Sequence, residues 1–445
     1  MSVTTTRVAD GTGRPAVATR EAKRLPQFDG VRAVCALALL VVHVAWTAGL
    51  TGSYTDDPNN LPAAILINGF QVAVGVFFLL SGLFLYRPFA QATIAGTQRP
   101  KLRPYLLRRL LRLLPAYYVV TAVALLVLNY SSIDGVWYVL RPVLLMQNYD
   151  PLFMVGMDIT WTVVTEVHWY LALPLIAFLN HLYARRGATP ASRARRLMIA
   201  PPLLVLVGFA WTYYIHTDSM GPFPPEYWWP VSMAANFGVG LALGVMSALT
   251  RVSPKDKPAL FGLASRRPGA FWFAALIVFA INCAEPFGRP GYGDYDTMGG
   301  SLIFYALLIS FGTLILLPMI APGTKSRMID VTLTNRPIVY LGRISYGIYL
   351  WHFIVLNLYL GSGSIFDAGP QQLPALRGTV GFWELEAAVL IGTVIVASLS
   401  YYLIERPILN FGERRLNAKK LADQAPVPVV PAQREAADRS PASVG

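Results

Sequence analysis

Residues 28–46 read FDGVRAVCALALLVVHVAW. Two basic side chains, Arg32 and His43, bracket a run with no charge between them. The apolar character continues to about residue 50, close to the length a helix needs to cross a hydrocarbon layer ~30 Å thick. At about 100° per residue, eleven positions bring Arg32 and His43 to within ~20° of the same azimuth. They therefore project from one helix face, about 16 Å apart along the axis, too far to touch.

Nine more apolar segments follow, near 62–86, 107–129, 162–183, 197–216, 232–250, 269–284, 299–321, 337–361 and 381–404. The whole chain of 445 residues is 55% apolar and only 14% charged, with a mean hydropathy of +0.48. Soluble domains carry about 25% charged residues. That excludes an ordinary soluble enzyme, a disordered chain and a disulfide scaffold. The expected fold is an all-α polytopic membrane protein with ten transmembrane helices. The longest connection, 130–160, contains a semi-apolar stretch, Trp137–Met146, that reads as a re-entrant or interfacial helix. Residues 1–27 and 413–445 are polar and read as disordered cytoplasmic tails around a membrane domain at 28–412. The first apolar run starts too late for a cleaved signal peptide.

Charge tests the count. With the N-terminus inside, alternate connections on the inner side hold 34 of the 37 Lys and Arg residues. Only Arg141, Arg289 and Arg377 fall outside. A wrong number of crossings would scramble this bias, so ten crossings with both termini cytoplasmic is the expected topology. The formal net charge of +13 is then a topology signal, and no nucleic-acid partner is expected. Cys35 and Cys283 each lie in an apolar run and read as small buried hydrophobes. No metal-ligand spacing is present, so no metal site is expected.

An ionisable group at the bilayer centre costs at least ~2.5–3.5 kcal/mol, which makes those inside the spans candidates for function. Arg32 reads either as a cytoplasmic anchor or as a functional cation. His43 reads either as a packing histidine or as a base, since a neutral imidazole at depth can accept a proton. Asp29 is expected to cap the first helix. The second span ends VFFLLSGLFLYRPF, where small Ser81 and Gly82 admit a neighbouring helix or a ligand, and Arg87 follows. The third opens KLRPYLLRRLLRLLPAYY. Arg108, Arg109 and Arg112 there suit either anionic headgroups or the phosphates of a cytoplasmic ligand. The fourth begins WTVVTEVHWYLALPL. Its Glu166 lies at a depth similar to His43, so a carboxyl–imidazole pair across helices is expected. His168 is given a structural role, and His181 and His216 an interfacial one. The ninth reads LGRISYGIYLWHFIV. There Tyr346, Tyr349, Trp351 and His352 suit aromatic packing or a substrate cavity.

Together FDGVR with its downstream His43, FFLLSG, RRLLRLLPAYY, W-x4-E followed by WYL, and LGRISYGIYLWH resemble the integral-membrane acyltransferase-3 family over about residues 25–410. The resemblance implies one ten-helix domain that takes an acyl group, commonly acetyl, from cytoplasmic acyl-CoA. The group passes to a hydroxyl of a glycan, lipid or small product at the outer face. It implies that Arg32 and His43 are the functional pair of the first span. It also implies that Glu166 and Arg108, Arg109 and Arg112 match further family motifs. His168 and Trp169 stand where the family varies and receive no role. Some relatives carry an additional extracytoplasmic esterase domain. None is expected here, which favours a lipid-linked sugar or small hydroxylated acceptor.

The expected scheme rests coenzyme A phosphates on Arg32, Arg109 and Arg112, with acyl-CoA a co-substrate and no resident cofactor. The pantetheine arm runs up beside the first span. His43 takes the acceptor proton, with Glu166 orienting it; an acyl-histidine route is the alternative. Rival readings are a non-enzymatic transporter or flippase, disfavoured by the lack of an internal repeat, and a sensor or scaffold. The Thr-, Ala- and Arg-rich tails point to GC-rich bacterial DNA, and the expected location is a bacterial cytoplasmic membrane. The topology is testable with reporters fused at each terminus. Both fusions should be active only with a reporter that works in the cytoplasm, and opposite results at the two ends would demand an odd number of crossings.

Overall fold

The computed structural model describes residues 25–51, 61–150, 154–221, 224–284, 298–360 and 378–422. Of the expected tails, residues 1–24 and 423–445 lie outside the described residues, as do Arg289 and Arg377. Among those described there is no strand. That follows from the solvent, because a helix satisfies its backbone donors and acceptors internally where lipid offers none.

The helices in order are α1 (Pro26–Thr47), α2 (Leu61–Gly69), α3 (Val72–Ala95), α4 (Leu102–Val123), α5 (Val136–Val143) and α6 (Trp161–Ala184). They continue with α7 (Pro190–Leu197), α8 (Ala200–Ile215), α9 (Ala234–Val252), α10 (Ala259–Arg266), α11 (Pro268–Ala284) and α12 (Met298–Ile320). The last are α13 (Arg327–Thr332), α14 (Arg336–Arg343), α15 (Ser345–Tyr359), α16 (Gly378–Ser400) and α17 (Arg406–Ala422). Eight stretches are long and apolar enough to cross a membrane, and ten if each of two bent pairs is one span. The bent pairs are α10–α11, at 92°, and α14–α15, at 70°. All ten expected segments thus fall on helices; the ninth is bent within its length, and the seventh lies within α11, just after a bend. Pro268 opens α11 directly after the first bend, as expected of a residue that cannot continue the preceding helix.

Two other expectations are corrected. Helix α1 begins at Pro26, with Leu25 at the capping position. Asp29 therefore sits inside the first turn, where it pairs with Arg32 at 3.4 Å. The helical stretch at the C-terminal end runs to Ala422, past the expected tail boundary at 413, and Glu413 pairs with Arg108 at 2.9 Å. The interfacial reading of 130–160 fits better. Helix α5 is short, and Val136, Trp137 and Leu140 are exposed.

The layout is inverted relative to a soluble protein. Leu171, Leu175, Phe178 and Leu179 leave an apolar stripe of α6 uncovered, and Ile391, Ile395 and Leu399 do the same on α16. These i, i+4 stripes suit hydrocarbon. Small residues allow the helices to approach inside. A Cβ on Gly82 would lie 2.7 Å from the Phe237 carbonyl oxygen and 3.1 Å from the Gly240 Cα. Gly82 is thus where α3 crosses α9, a small-residue helix contact of the kind membranes favour. Helix α1 lies at the centre, with Ala33, Ala36, Leu40, Val42, Val44 and Ala45 fully buried. Helix α14 crosses its start so closely that Gly342 leaves no room for a Cβ against the Asp29 backbone, and Gly30 likewise leaves none against the backbone of Leu333, just past α13.

Gly82→Val should therefore fail to give a monodisperse detergent-solubilised protein, since overpacking costs about 1–3 kcal/mol even where neighbours can yield. Ser81→Ala, one position away, should elute normally. Equal behaviour of the two on size-exclusion chromatography would contradict the α3–α9 crossing.

Candidate active site

Helices α1, α3, α4, α6 and α15 enclose a cavity of about 100 Å³. At one end stand Arg32, Arg109 and Arg112 with Phe84. Arg112 is exposed, so this end meets the surface. Spacing along α4 explains the set. Arg109 and Arg112 are three residues apart and share a face. Arg108 points elsewhere, onto exposed Glu413. Arg32 and Arg87 both lie over the ring of Phe84, at 5.6 and 5.4 Å from its centroid. Cation–π contact of this kind helps hold the guanidinium groups in place, and Arg32 is also paired with Asp29.

Midway, Glu166 receives two hydrogen bonds on one carboxyl oxygen. Ser81 Oγ donates at 2.7 Å and Tyr170 OH at 2.6 Å. Tyr170 is one helical turn below Glu166 on α6, whereas Ser81 comes from α3. Tyr346 also lines the cavity, and its hydroxyl donates to the Leu113 carbonyl at 2.8 Å. The far end is closed by Phe77, Thr162 and Tyr349. Tyr349 OH donates to the Ile159 carbonyl at 2.8 Å and accepts from Thr162 Oγ1 at 2.9 Å. The rings of Phe77 and Tyr349 lie 6.3 Å apart.

Beyond this aromatic wall lies His43. Its Nδ1 is 2.8 Å from His352 Nε2, and the Tyr349 ring centre is 5.9 Å from that of His352. The pairing expected between His43 and Glu166 is therefore not formed. Glu166 lies within the cavity and meets α3, whereas His43 lies past the Phe77–Tyr349 wall and meets α15. Neither His43 nor His352 lines the cavity. Trp351 turns the other way, packed with Ala116 and Tyr117 of α4 in a separate apolar cluster. Gly82 contacts α9 and Arg87 stands outside the cavity lining, so of the expected donor-site residues Ser81, Arg109 and Arg112 line the cavity. His168 has the structural role expected of it, held between Tyr149 OH at 3.2 Å and the Val164 carbonyl at 2.8 Å. Phe77, Phe84 and Tyr170 were not legible as site residues, since aromatic side chains on an apolar span carry no distinguishing signal. Among the described residues no group of three or more His, Cys, Asp or Glu side chains could hold a metal ion.

The arrangement can hold a polyanion at the arginine end and a polar linker along Ser81, Glu166 and Tyr346. It leads toward a buried imidazole. The family model described as an acyltransferase domain, acyltransferase type 3, matches residues 25–402. The chain belongs to this family. A peptidoglycan O-acetyltransferase of Listeria monocytogenes, OatA, is 24% identical over 416 residues, 88% of this chain and 56% of its own length. YrhL of Bacillus subtilis is 24% identical over 421 residues, 90% of this chain and 57% of its own length. Nodulation protein 10 of Rhizobium leguminosarum is 24% identical over 409 residues, 86% of this chain and 93% of that one. The chain thus spans little more than half of the first two relatives. No solved structure matches it.

Glu166→Ala would strand the Ser81 and Tyr170 hydroxyls in a partly dry site. An unsatisfied buried donor costs about 1–3 kcal/mol, so the thermal midpoint should fall measurably. Arg108→Ala removes only an exposed ion pair, worth about 0–1 kcal/mol, and should leave it nearly unchanged. A midpoint more sensitive to Arg108 than to Glu166 would contradict these assignments.

Proposed function

We propose that the protein is a multi-pass O-acyltransferase of a bacterial cytoplasmic membrane. It moves an acyl group, acetyl in the first instance, from cytoplasmic acyl-CoA to a hydroxyl on a glycan. The observation that carries this reading is a cavity with three guanidinium groups at its open end and a buried histidine beyond its closed end. The names of the Listeria relative and of its Staphylococcus aureus counterparts point the same way, since all are called O-acetyltransferases. The acceptor of the former, peptidoglycan, makes a cell-wall or lipid-linked glycan the first acceptor to try. The family match favours the enzyme over a transporter or flippase.

The donor's phosphates rest on Arg109, Arg112 and Arg32, whose forks match phosphate oxygens in pairs. The pantetheine amides run past Ser81, Glu166 and Tyr346. The length of α1 between Arg32 and His43, about 16 Å, suits an extended arm. Phe77 and Tyr349 stand across its path, so the thioester reaches His43 only when one of these rings turns. His43 takes the proton of the acceptor hydroxyl as its oxygen attacks the thioester carbonyl. The new ester C–O bond forms, the C–S bond breaks, and the proton returns to the departing coenzyme A thiolate. Glu166 is not in contact with His43, so its part is to order the donor channel.

The test feeds acetyl-labelled acetyl-CoA to membranes holding wild type or variants at matched levels and follows label into extracted glycan and lipid. General-base help is worth roughly 10²–10⁴ in rate, so His43→Ala should lose transfer by that factor. Arg109→Ala with Arg112→Ala should raise the KM for acetyl-CoA about tenfold to hundredfold, the weight of lost charge-assisted hydrogen bonds. Wild-type transfer by a folded His43→Ala protein would overturn the scheme. Substrate movement into vesicles without any acyl donor would favour the transporter.

A further inference from the structure

The reading of His43 as a base leaves open which of its nitrogens carries the lone pair. We propose that His352 is a positioning residue that fixes His43 as the Nδ1–H tautomer and so aims the Nε2 lone pair at the reacting hydroxyl. The inference rests on the reading of His43 as the base.

The chain of hydrogen bonds has one fixed end. The Ile348 carbonyl, one turn back on α15, lies 3.1 Å from His352 Nδ1. A carbonyl oxygen only accepts, so His352 Nδ1 carries the proton. In a neutral imidazole the other nitrogen, Nε2, then holds a lone pair. His43 Nδ1 is 2.8 Å from that lone pair and has to be the donor. His43 Nε2 is left as the acceptor.

The ring geometry agrees. The two ring centres are 5.1 Å apart and the planes differ by 11°. With the nitrogens only 2.8 Å apart, the rings meet edge to edge in nearly one plane, the direction in which an imidazole N–H and lone pair point. Face-to-face rings at that separation could not bring the nitrogens so close. The surroundings favour the neutral form of both rings. His352 is fully buried and His43 nearly so, and Trp46, Tyr349 and Phe353 pack around them. A cation in such a setting is costly without a paired charge.

His352 thus does for His43 what a buried carboxylate does in a hydrolase triad, with a neutral acceptor in place of a charge. No bond to His352 forms or breaks. When His43 Nε2 takes the acceptor proton, Nδ1–H stays bonded to His352, and the new positive charge faces a lone pair rather than an apolar wall.

The protein has only five histidines, so ¹⁵N-histidine solid-state NMR of the full chain in lipid bilayers can read each tautomer. His43 is assigned by the signal lost in His43→Ala. The wild-type protein should show His43 as the Nδ1–H tautomer and His352 likewise. His352→Leu should move His43 toward the Nε2–H form and lower label transfer from acetyl-labelled acetyl-CoA by ~10²-fold. His352→Gln, whose side-chain carbonyl can accept from Nδ1–H, should restore the tautomer and most of the rate. Finding wild-type His43 as the Nε2–H form would overturn the inference, and this needs no His352 variant to fold. So would a His352→Gln protein that folds yet is as slow as His352→Leu, or a His352→Leu protein with an unchanged tautomer and rate. If instead His43→Ala keeps wild-type transfer, the base reading itself has failed, whatever the tautomer.

Discussion

A polar side chain inside the hydrocarbon layer has no water to bond, and in this protein that constraint ties the interior together. Glu166 on α6 is bonded to Ser81 on α3, His43 on α1 to His352 on α15, and Tyr346 on α15 to the backbone of α4. Tyr349 reaches Thr162 and the Ile159 carbonyl, and Asn180 of α6 reaches Tyr86 of α3 at 3.0 Å. Lipid attracts apolar side chains as well as a neighbouring helix does, so apolar contact alone specifies helix position weakly. These bonds and the glycine crossings set which helix faces which. The same five helices that the polar bonds link are those that line the cavity.

The bent ninth segment matters most to that placement. Helix α14 lies across the start of α1, where Gly342 lets its backbone meet that of Asp29. After the 70° turn, α15 runs inward with Tyr346, Tyr349 and His352 at steps of three residues. That spacing lets one helix supply a cavity wall, the closing aromatic residue and the partner of His43 in sequence. A straight helix over the same residues could not both cover the start of α1 and line the interior.

Most of the fold was legible from residue type and spacing. Ten apolar segments became eight single helical stretches and two bent pairs, and Arg32 and His43 share a continuous helix. Partners were less legible. Sequence gives the depth of a residue only to within a turn or so and its azimuth only relative to its own helix. Glu166 and His43 read as matched in depth, yet Glu166 lines the cavity and His43 lies beyond its aromatic wall. The same limit separates Arg108 from Arg109, and Trp351 from His352: each pair is adjacent in sequence and about 100° apart in space. Ser81 and Gly82 make the point once more, since Ser81 faces the cavity and Gly82 the crossing with α9. The bends were not legible: the break at Ile344 leaves no gap in the ninth apolar segment, and the break at Arg267 falls in the basic stretch before the seventh, which read as a connection.

On the proposed function, the separation between the arginine end and the histidine pair has a chemical use. An acyl thioester close to a base and to water would hydrolyse, so a site that couples a cytoplasmic donor to an outer acceptor benefits from a barrier between its halves. Phe77 and Tyr349 supply one. Tyr349 is held from both sides by Thr162 and Ile159, which makes Phe77, with no hydroxyl to anchor it, the ring more free to turn. On the proposed reading the base, His43, sits on the far side, bonded to His352 at 2.8 Å. On that proposal the two halves stay apart until a ring turns, and Phe77 would be the ring whose turn joins them.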